Sequence, residues 1–281
     1  MIIKTSIKSI NMKHISMNAG RHVLLLLLSV IAVFPIYWMI ISSMKGEAEI
    51  FNYALLPEQF QLKNYIYAFQ EIPIVKMLAN SIINSSVQMI LQLITAVLAA
   101  YALMRWNFKG KTIIIGVLTL TWLIPFQAIM IPNYVQINTW KLNGTLAAVI
   151  LPNVASAFAC ITMYQSFQSF PRELVEAALI DGCSELRLLG SVVIPTMKAG
   201  ISSLGIMLFI NSWNDYMWPM LVAKKLENAP IQIGLKSFVS SDVNMWGSLM
   251  AATTVACIPI FVLYLFLQRN IMDSFIKGGI K

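Results

Sequence analysis

Six long stretches of this sequence carry almost no charged side chain, and each can hold a membrane-crossing helix of about 20 residues. In lipid the backbone must satisfy its own hydrogen bonds, which favours helices. The whole chain is 58% hydrophobic and only 11% charged, so that water cannot be its main solvent. The sequence therefore predicts an all-α, polytopic membrane protein with six transmembrane helices. The six stretches are 23–44, 77–104, 112–140, 142–170, 199–223 and 243–268.

Two boundaries need a separate argument. The first stretch follows basic residues, as in a signal peptide, but its length indicates a retained helix. The third and fourth stretches are separated only by Lys141. Pro132, Asn133 and the Asn143-Gly144 pair are turn formers, so we expect a short loop at about 133–143.

The positions of Lys and Arg predict the orientation, because basic residues resist transfer across the membrane. Most of the 20 Lys and Arg residues lie in four segments that share one side: the N-tail, the 105–111 turn, the 171–198 loop and the C-tail. We therefore expect a cytoplasmic N-tail (1–22), a membrane domain (23–268) and a cytoplasmic C-tail (269–281). Outer loops are expected at about 45–76 and 221–247.

Several binding and catalytic functions find no support in the residues. The net charge of +8 is not clustered on soluble elements, so no nucleic-acid partner is expected. No metal site or disulfide is expected either, because Cys160, Cys183 and Cys257 are scattered and both histidines lie near the N-terminus. Arg105 stands where a phosphate-binding loop ending in Gly110-Lys111 would need glycine, so the chain should bind no ATP itself.

The loop after the fourth stretch has an unusual pattern. Pro171 suits the first turn of a helix, Glu173 and Glu176 complement the positive end of its dipole, and Gly182 allows a bend. The pattern predicts a short amphipathic helix and a second short helix on either side of Gly182. Such a loop could dock into another protein or lie on lipid headgroups, and the residue spacing alone leaves both possibilities open.

This loop resembles the EAA signature of ABC importer permeases. The matching positions are Glu176, Ala177, Ala178, Gly182, Val192, Ile194 and Pro195, with Val192 and Ile194 where isoleucine and leucine are usual. Residues 211–219, 230–235 and 275–281 also resemble carbohydrate-uptake permeases similar to the smaller membrane subunit of the maltose system.

The resemblance implies an ABC importer type I transmembrane domain in a bacterial-type cytoplasmic membrane, with both termini cytoplasmic. It implies four kinds of partner: a second homologous permease subunit, two ATPase subunits that bind ATP and Mg, an extracytoplasmic solute-binding protein and a sugar. It also implies no cofactor in this chain. The residues expected to couple to the ATPase are Glu176, Ala177, Ala178, Asp181, Gly182 and Pro195.

A candidate pathway lies within the second and fifth stretches. Asn80, Asn84, Gln88 and Gln92 recur every four residues, so a helix places them along one stripe. Their amides could line a route for a hydroxyl-rich solute, or could bond neighbouring helices. The fifth stretch adds Asn211, Trp213, Asn214 and Asp215. Asp215 is the only acidic or basic residue that we place within a crossing, and contact with a partner protein or water is favoured over proton relay.

The residues favour a sugar importer over other classes of membrane protein. A membrane enzyme would need an acid and a base in one pocket, and an ion-coupled carrier would show inverted repeats or coupled buried charges; neither pattern is visible. A glycerol-phosphate-type solute is the alternative substrate. It would favour Lys or Arg in the pathway, and the six stretches contain none.

Overall fold

The computed structural model describes residues 2–52, 54–239 and 245–279, and within these ranges it is built from helices without a β-strand. The helices are numbered here in chain order. They are α1 (Ile2–Ser42), α2 (Lys63–Glu71), α3 (Ile74–Arg105), α4 (Lys111–Trp122), α5 (Phe126–Thr139), α6 (Leu146–Asn153), α7 (Ala157–Phe167), α8 (Arg172–Ile180), α9 (Glu185–Thr196), α10 (Lys198–Trp213), α11 (Met217–Val222), α12 (Ile231–Ser237) and α13 (Trp246–Gly279).

The membrane crossings are of two kinds. Gly20–Ser42 of α1, the whole of α3 and Trp246–Phe266 of α13 are each long and apolar enough to cross as single helices. Three bent pairs are also apolar and long enough: α4 with α5 at 91°, α6 with α7 at 47°, and α9 with α10 at 80°. The predicted all-α, membrane-spanning architecture is confirmed, and the described helices give six crossings if each bent pair forms one crossing.

The loop predicted at 133–143 is wrong over most of its length. Helix α5 continues through Pro132 to Thr139, and the interruption lies instead at Pro125, which has an extended backbone and precedes α5. Proline lacks the N–H that a continuing helix needs and restricts the residue before it, which explains the end of α4. After α5, Lys141 has a positive φ of 58° and Leu142 N–H bonds the Ile137 carbonyl at 3.1 Å, so one tight turn is sufficient.

The other predicted boundaries shift as well. The stretch 142–170 is divided by a turn before α7, where the Ser156 hydroxyl accepts from the Ala159 N–H at 3.3 Å. The stretch 199–223 is divided between α10 and α11. Helix α1 runs across the predicted 22/23 boundary, and α13 runs beyond 268. The predicted start at 243 and the terminal residues 280–281 lie outside the described residues.

Helix α3 forms the centre of the bundle, packed along α7 and α10. Two apolar cores lie toward its two ends. The core near Arg105, here the loop-end core, includes Tyr101, Phe167, Val175 and Leu188. The core near Ile74, here the far-end core, includes Met77, Trp213 and Ile231. The middle of α3, between the two cores, is where polar side chains are collected.

Candidate functional site

A cleft of about 470 Å³ opens beside the middle of α3. Amide, hydroxyl, aromatic and carboxylate side chains share its wall. The lining residues are Gln88, Gln92, Trp122, Phe126, Gln127, Asn153, Ser156, Phe158, Leu208, Asn211, Ser212, Asp215 and Met217. Aromatic faces beside amide and hydroxyl groups can contact both the apolar faces and the hydroxyls of a polyhydroxylated solute.

The helix interruptions build this cleft. Trp122 and Phe126 flank the α4–α5 break, Asn153 and Ser156 flank the α6–α7 break, and Asp215 lies in the α10–α11 break. Irregular backbone at membrane depth is tolerated where it is buried in protein or lines a polar cavity. The α4–α5, α6–α7 and α10–α11 breaks are therefore part of the site, because they bring polar groups and helix ends to one place.

The amide stripe of α3 is divided between the cleft and the protein interior. Gln92 Nε2 donates to the Asn153 carbonyl at 2.6 Å, and Gln88 Nε2 donates to Asn84 Oδ1 at 2.9 Å. Farther along, Asn84 Nδ2 donates to Ser212 Oγ at 3.3 Å, and Asn80 Nδ2 donates to the Ala229 carbonyl at 3.1 Å. All four amides thus bond neighbouring groups, and Gln88 and Gln92 also reach the cleft.

The candidates from the fifth stretch are divided in the same way. Asn211 and Asp215 line the cleft. Trp213 is 1% exposed and stacks on Phe209 with ring centroids 5.7 Å apart, inside the far-end core. Asn214 is exposed and accepts a hydrogen bond from Gln232 Nε2 at 3.4 Å, away from the cleft. Among the described residues that line the cleft, Asp215 alone is charged.

Sequence reasoning missed the aromatic and turn residues of the cleft. Trp122, Phe126 and Phe158 lie in apolar runs, where an aromatic ring gives no sign of facing a cavity. Pro125 and the pair Asn153 and Ser156 are the signals that could have located two of the breaks.

The loop between α7 and α10 forms a second candidate site at one end of the bundle. Helices α8 and α9 flank Gly182, whose φ of +74° belongs to the left-handed region. Val175 is buried in the loop-end core, and Ala178 is half-buried against it. The outer surface carries the exposed Glu176, Ala177 and Asp181. Pro195, at the other end of the signature, is also exposed.

Two large apolar side chains stand out on this loop. Ile180 is 86% exposed at the end of α8, and Leu186 is 82% exposed at the start of α9. The same loop exposes the carboxylates of Glu176 and Asp181. An exposed apolar pair beside charged groups is typical of a surface that another molecule covers.

Glu185 fixes the loop to α3. Its carboxylate lies 2.8 Å from an Arg105 terminal nitrogen and also accepts from Arg105 Nε at 3.0 Å. The Tyr101 hydroxyl donates to the same carboxylate.

A helical bundle with membrane-spanning helices, a polar cleft beside its central helix and an exposed loop at one end is typical of a membrane transport subunit. Residues 92–276 match the family model of binding-protein-dependent transport system inner membrane components, and the chain belongs to that family.

Curated relatives match over nearly their whole length. The arabinooligosaccharides transport system permease protein AraQ of Halalkalibacterium halodurans is 30% identical, with 89% of this chain and 92% of the relative covered. The diacetylchitobiose uptake system permease protein NgcG of Streptomyces coelicolor is 31% identical, with 92% and 88% covered. The sn-glycerol-3-phosphate transport system permease protein UgpE of Brucella abortus is 29% identical, with 93% and 95% covered.

A solved structure has the same fold. It is a chain of a bacterial ABC transporter involved in the import of the acidic polysaccharide alginate, with a TM-score of 0.76 and 24% identity. The match covers 90% of this chain and 95% of that one.

Proposed function

We propose that this chain is a permease subunit that forms a path for a sugar together with a second, homologous permease subunit. Two ATPase subunits, which bind ATP and Mg, drive the transport from the cytoplasm, and a solute-binding protein delivers the sugar on the opposite side. The chain contributes no ATPase site of its own. Family membership supports the importer, and the relatives AraQ and NgcG, whose names specify oligosaccharide uptake, support the sugar.

One observation carries the coupling role: the loop surface of Glu176, Asp181, Ile180 and Leu186 is exposed on a firmly anchored base. Helix α8 has nine residues, too few for a helix to be stable alone in water. Its buried Val175 and the contacts of Glu185 hold the loop in place. A short, anchored loop with an uncovered apolar and acidic surface suits insertion into a groove of an ATPase subunit.

The chemistry of the cleft favours a neutral solute. Its polar lining consists of amides and hydroxyls with one carboxylate, and no Lys or Arg is among the described lining residues. Gln88, Gln92, Asn211 and Asp215 are the side chains that we assign to the pathway. A phosphorylated solute, as in the name of the relative UgpE, would favour a bidentate guanidinium or an ammonium group here.

We place the loop and both chain termini on the cytoplasmic side, as the distribution of basic residues indicates. The half-exposed thiol of Cys183, in the middle of the loop, tests this orientation. In a variant without Cys160 and Cys257, a membrane-impermeant maleimide should label Cys183 in inside-out vesicles and not in right-side-out vesicles. Labelling in right-side-out vesicles alone would contradict the placement.

The coupling role is tested by Glu176→Lys in the complex reconstituted in proteoliposomes with its ATPase and loaded binding protein. Reversing the charge should abolish the stimulation of ATP hydrolysis by the binding protein and weaken retention of the ATPase during purification. Lys109→Glu, an exposed charge reversal in the neighbouring turn, is the matched control and should leave both unchanged. Unchanged stimulation in the Glu176 variant would refute the role assigned to the loop.

A further inference from the structure

We propose that Glu185 is a positioning residue that joins the loop to α3, so that movement imposed on the loop reaches the cleft through α3 rather than along the chain into α10. The inference rests on the proposed function, because it assumes that the loop receives the movement. It assigns a route for that movement and a residue on which the route depends.

The first support is the geometry of the contact. Glu185 is the first residue of α9, and Arg105 is the last residue of α3. The guanidinium reaches the carboxylate through two nitrogens, at 2.8 Å and 3.0 Å, which fixes direction as well as distance. Tyr101, one helical turn earlier on α3, bonds the same carboxylate. Two guanidinium nitrogens and one hydroxyl of α3 therefore bond the carboxylate at the start of α9.

Apolar packing beneath this contact makes the connection rigid. Leu188 and Val193 of α9 are fully buried, and they share the loop-end core with Ala100 and Val97 of α3. Packed interiors transmit displacement because they contain few voids. The contact of Glu185 with Arg105 and Tyr101 fixes the position of α9 along α3, and the apolar core makes the connection between the two helices rigid.

The covalent route from α9 to α10 is interrupted. The two helices meet at 80°, and Met197 between them has non-helical torsion angles of −93° and 9°. Residues Leu189–Val193 also form a π-helical segment, a feature that often marks functional sites in helices. A displacement of α9 is therefore not transmitted to α10 along one continuous helix.

Helix α3, in contrast, is unbroken over its 32 residues. From Arg105 to Gln92 it spans about 20 Å at 1.5 Å per residue. Gln92 lines the cleft and bonds the Asn153 carbonyl beside it. A shift or tilt of α3 at Arg105 would thus displace an amide that is both part of the cleft wall and a link to the α6–α7 break.

The test is a charge-swap cycle in the complete complex, reconstituted in proteoliposomes with ATPase and loaded binding protein. The variants are Glu185→Arg, Arg105→Glu and the double variant, with Lys109→Glu as a control outside the contact. Solute taken up and ATP hydrolysed are measured in the same vesicles. Each single variant should keep the ATPase bound and hydrolysing while uptake per ATP falls by about tenfold, within the range usual for coupling between sites.

The double variant should recover most of the uptake per ATP, because it restores opposite charges between α3 and α9. The route would be overturned by single variants with normal uptake per ATP, or by a double variant in which uptake per ATP is not recovered. It would also be overturned if uptake, ATP hydrolysis and the melting temperature of the complex all fell together in the single variants. The last would indicate a purely structural contact. If Glu176→Lys uncouples the complex and the Glu185 variants do not, the inference fails while the proposed function stands.

Discussion

The Gln92 side chain donates a 2.6 Å hydrogen bond from Nε2 to the backbone carbonyl oxygen of Asn153. This bond joins the unbroken α3 to the end of α6, where the helix pair α6–α7 bends by 47°. Both residues line the cleft. The bond therefore closes part of the cleft wall and fixes the position of an amide that a solute can contact.

Replacing Gln92 by alanine should lower uptake roughly 2- to 10-fold, because one hydrogen bond contributes about 1 kcal/mol. The melting temperature of the purified complex should change little, since the freed Asn153 carbonyl faces an open cleft where water can bond it. Uptake and melting temperature are measured on the same preparation. Gln59→Ala, at an exposed amide in the loop before α2, is the matched control. Unchanged uptake would remove Gln92 from the pathway.

Neutralising the single carboxylate of the cleft should change which solutes inhibit uptake. At about 4 Å, a carboxylate repels an anionic solute by about 1 kcal/mol in water and about 4 kcal/mol near a protein surface. In Asp215→Asn, uronate or phosphorylated analogues should compete better with the neutral sugar. Asp215→Glu keeps the charge and should not gain this competition. Identical inhibition profiles in all three proteins would show that Asp215 does not contribute to selectivity.

The crossings were predictable from the sequence because lipid requires long apolar helices, whereas their continuity and several of their boundaries were misjudged. A stretch without charged residues has the same hydropathy whether its helix is straight or bent, so hydropathy does not report the bend. The 91° bend between Trp122 and Phe126 was therefore hidden although Pro125 lies at its centre. The spacing of four residues predicted an amide stripe along the helix that is α3 in the structure. Tertiary packing alone decides that Gln88 and Gln92 reach the cleft while Asn80 bonds the loop before α12.

The loop was predictable in outline for a different reason. Its proline, acidic first turn and glycine are local signals that specify two helices and a bend without reference to the rest of the chain. Its fixation was not predictable, since the bond between Glu185 and Arg105 joins positions 80 residues apart. No local pattern reports such a pair.

Gly182 should tolerate substitution poorly for backbone reasons alone. Its φ is +74°, and a Cβ added there would meet no atom within 4 Å, so crowding plays no part. Gly182→Ala should cost about 1 kcal/mol of loop stability, and Gly182→Asn less, because asparagine visits the left-handed region more readily. Protease cleavage of the loop in inside-out vesicles should be faster in the alanine variant.

Gly190 provides the matched control for Gly182. It lies in α9 of the same loop, its φ is not positive, and an added Cβ would likewise meet no atom within 4 Å. Gly190→Ala should leave the cleavage rate unchanged or slow it slightly, since alanine favours helix over glycine by about 1 kcal/mol. Equal acceleration by both alanine variants would mean that loss of glycine, rather than the left-handed torsion, loosens the loop.

Gly234 of α12 should be sensitive for the opposite reason, which is contact. A Cβ there would lie 2.7 Å from Met77 Sδ and 2.8 Å from Ile72 Cδ1, inside the far-end core. Both neighbours are buried, so Gly234→Ala should destabilise the protein by about 1–3 kcal/mol, the usual cost of overpacking. Thermal unfolding in detergent measures this, with Gly116→Ala as the control, because its Cβ would meet nothing within 4 Å. If both variants melt with the wild type, residues around Gly234 repack freely, and the far-end core does not hold α12 rigidly against α3.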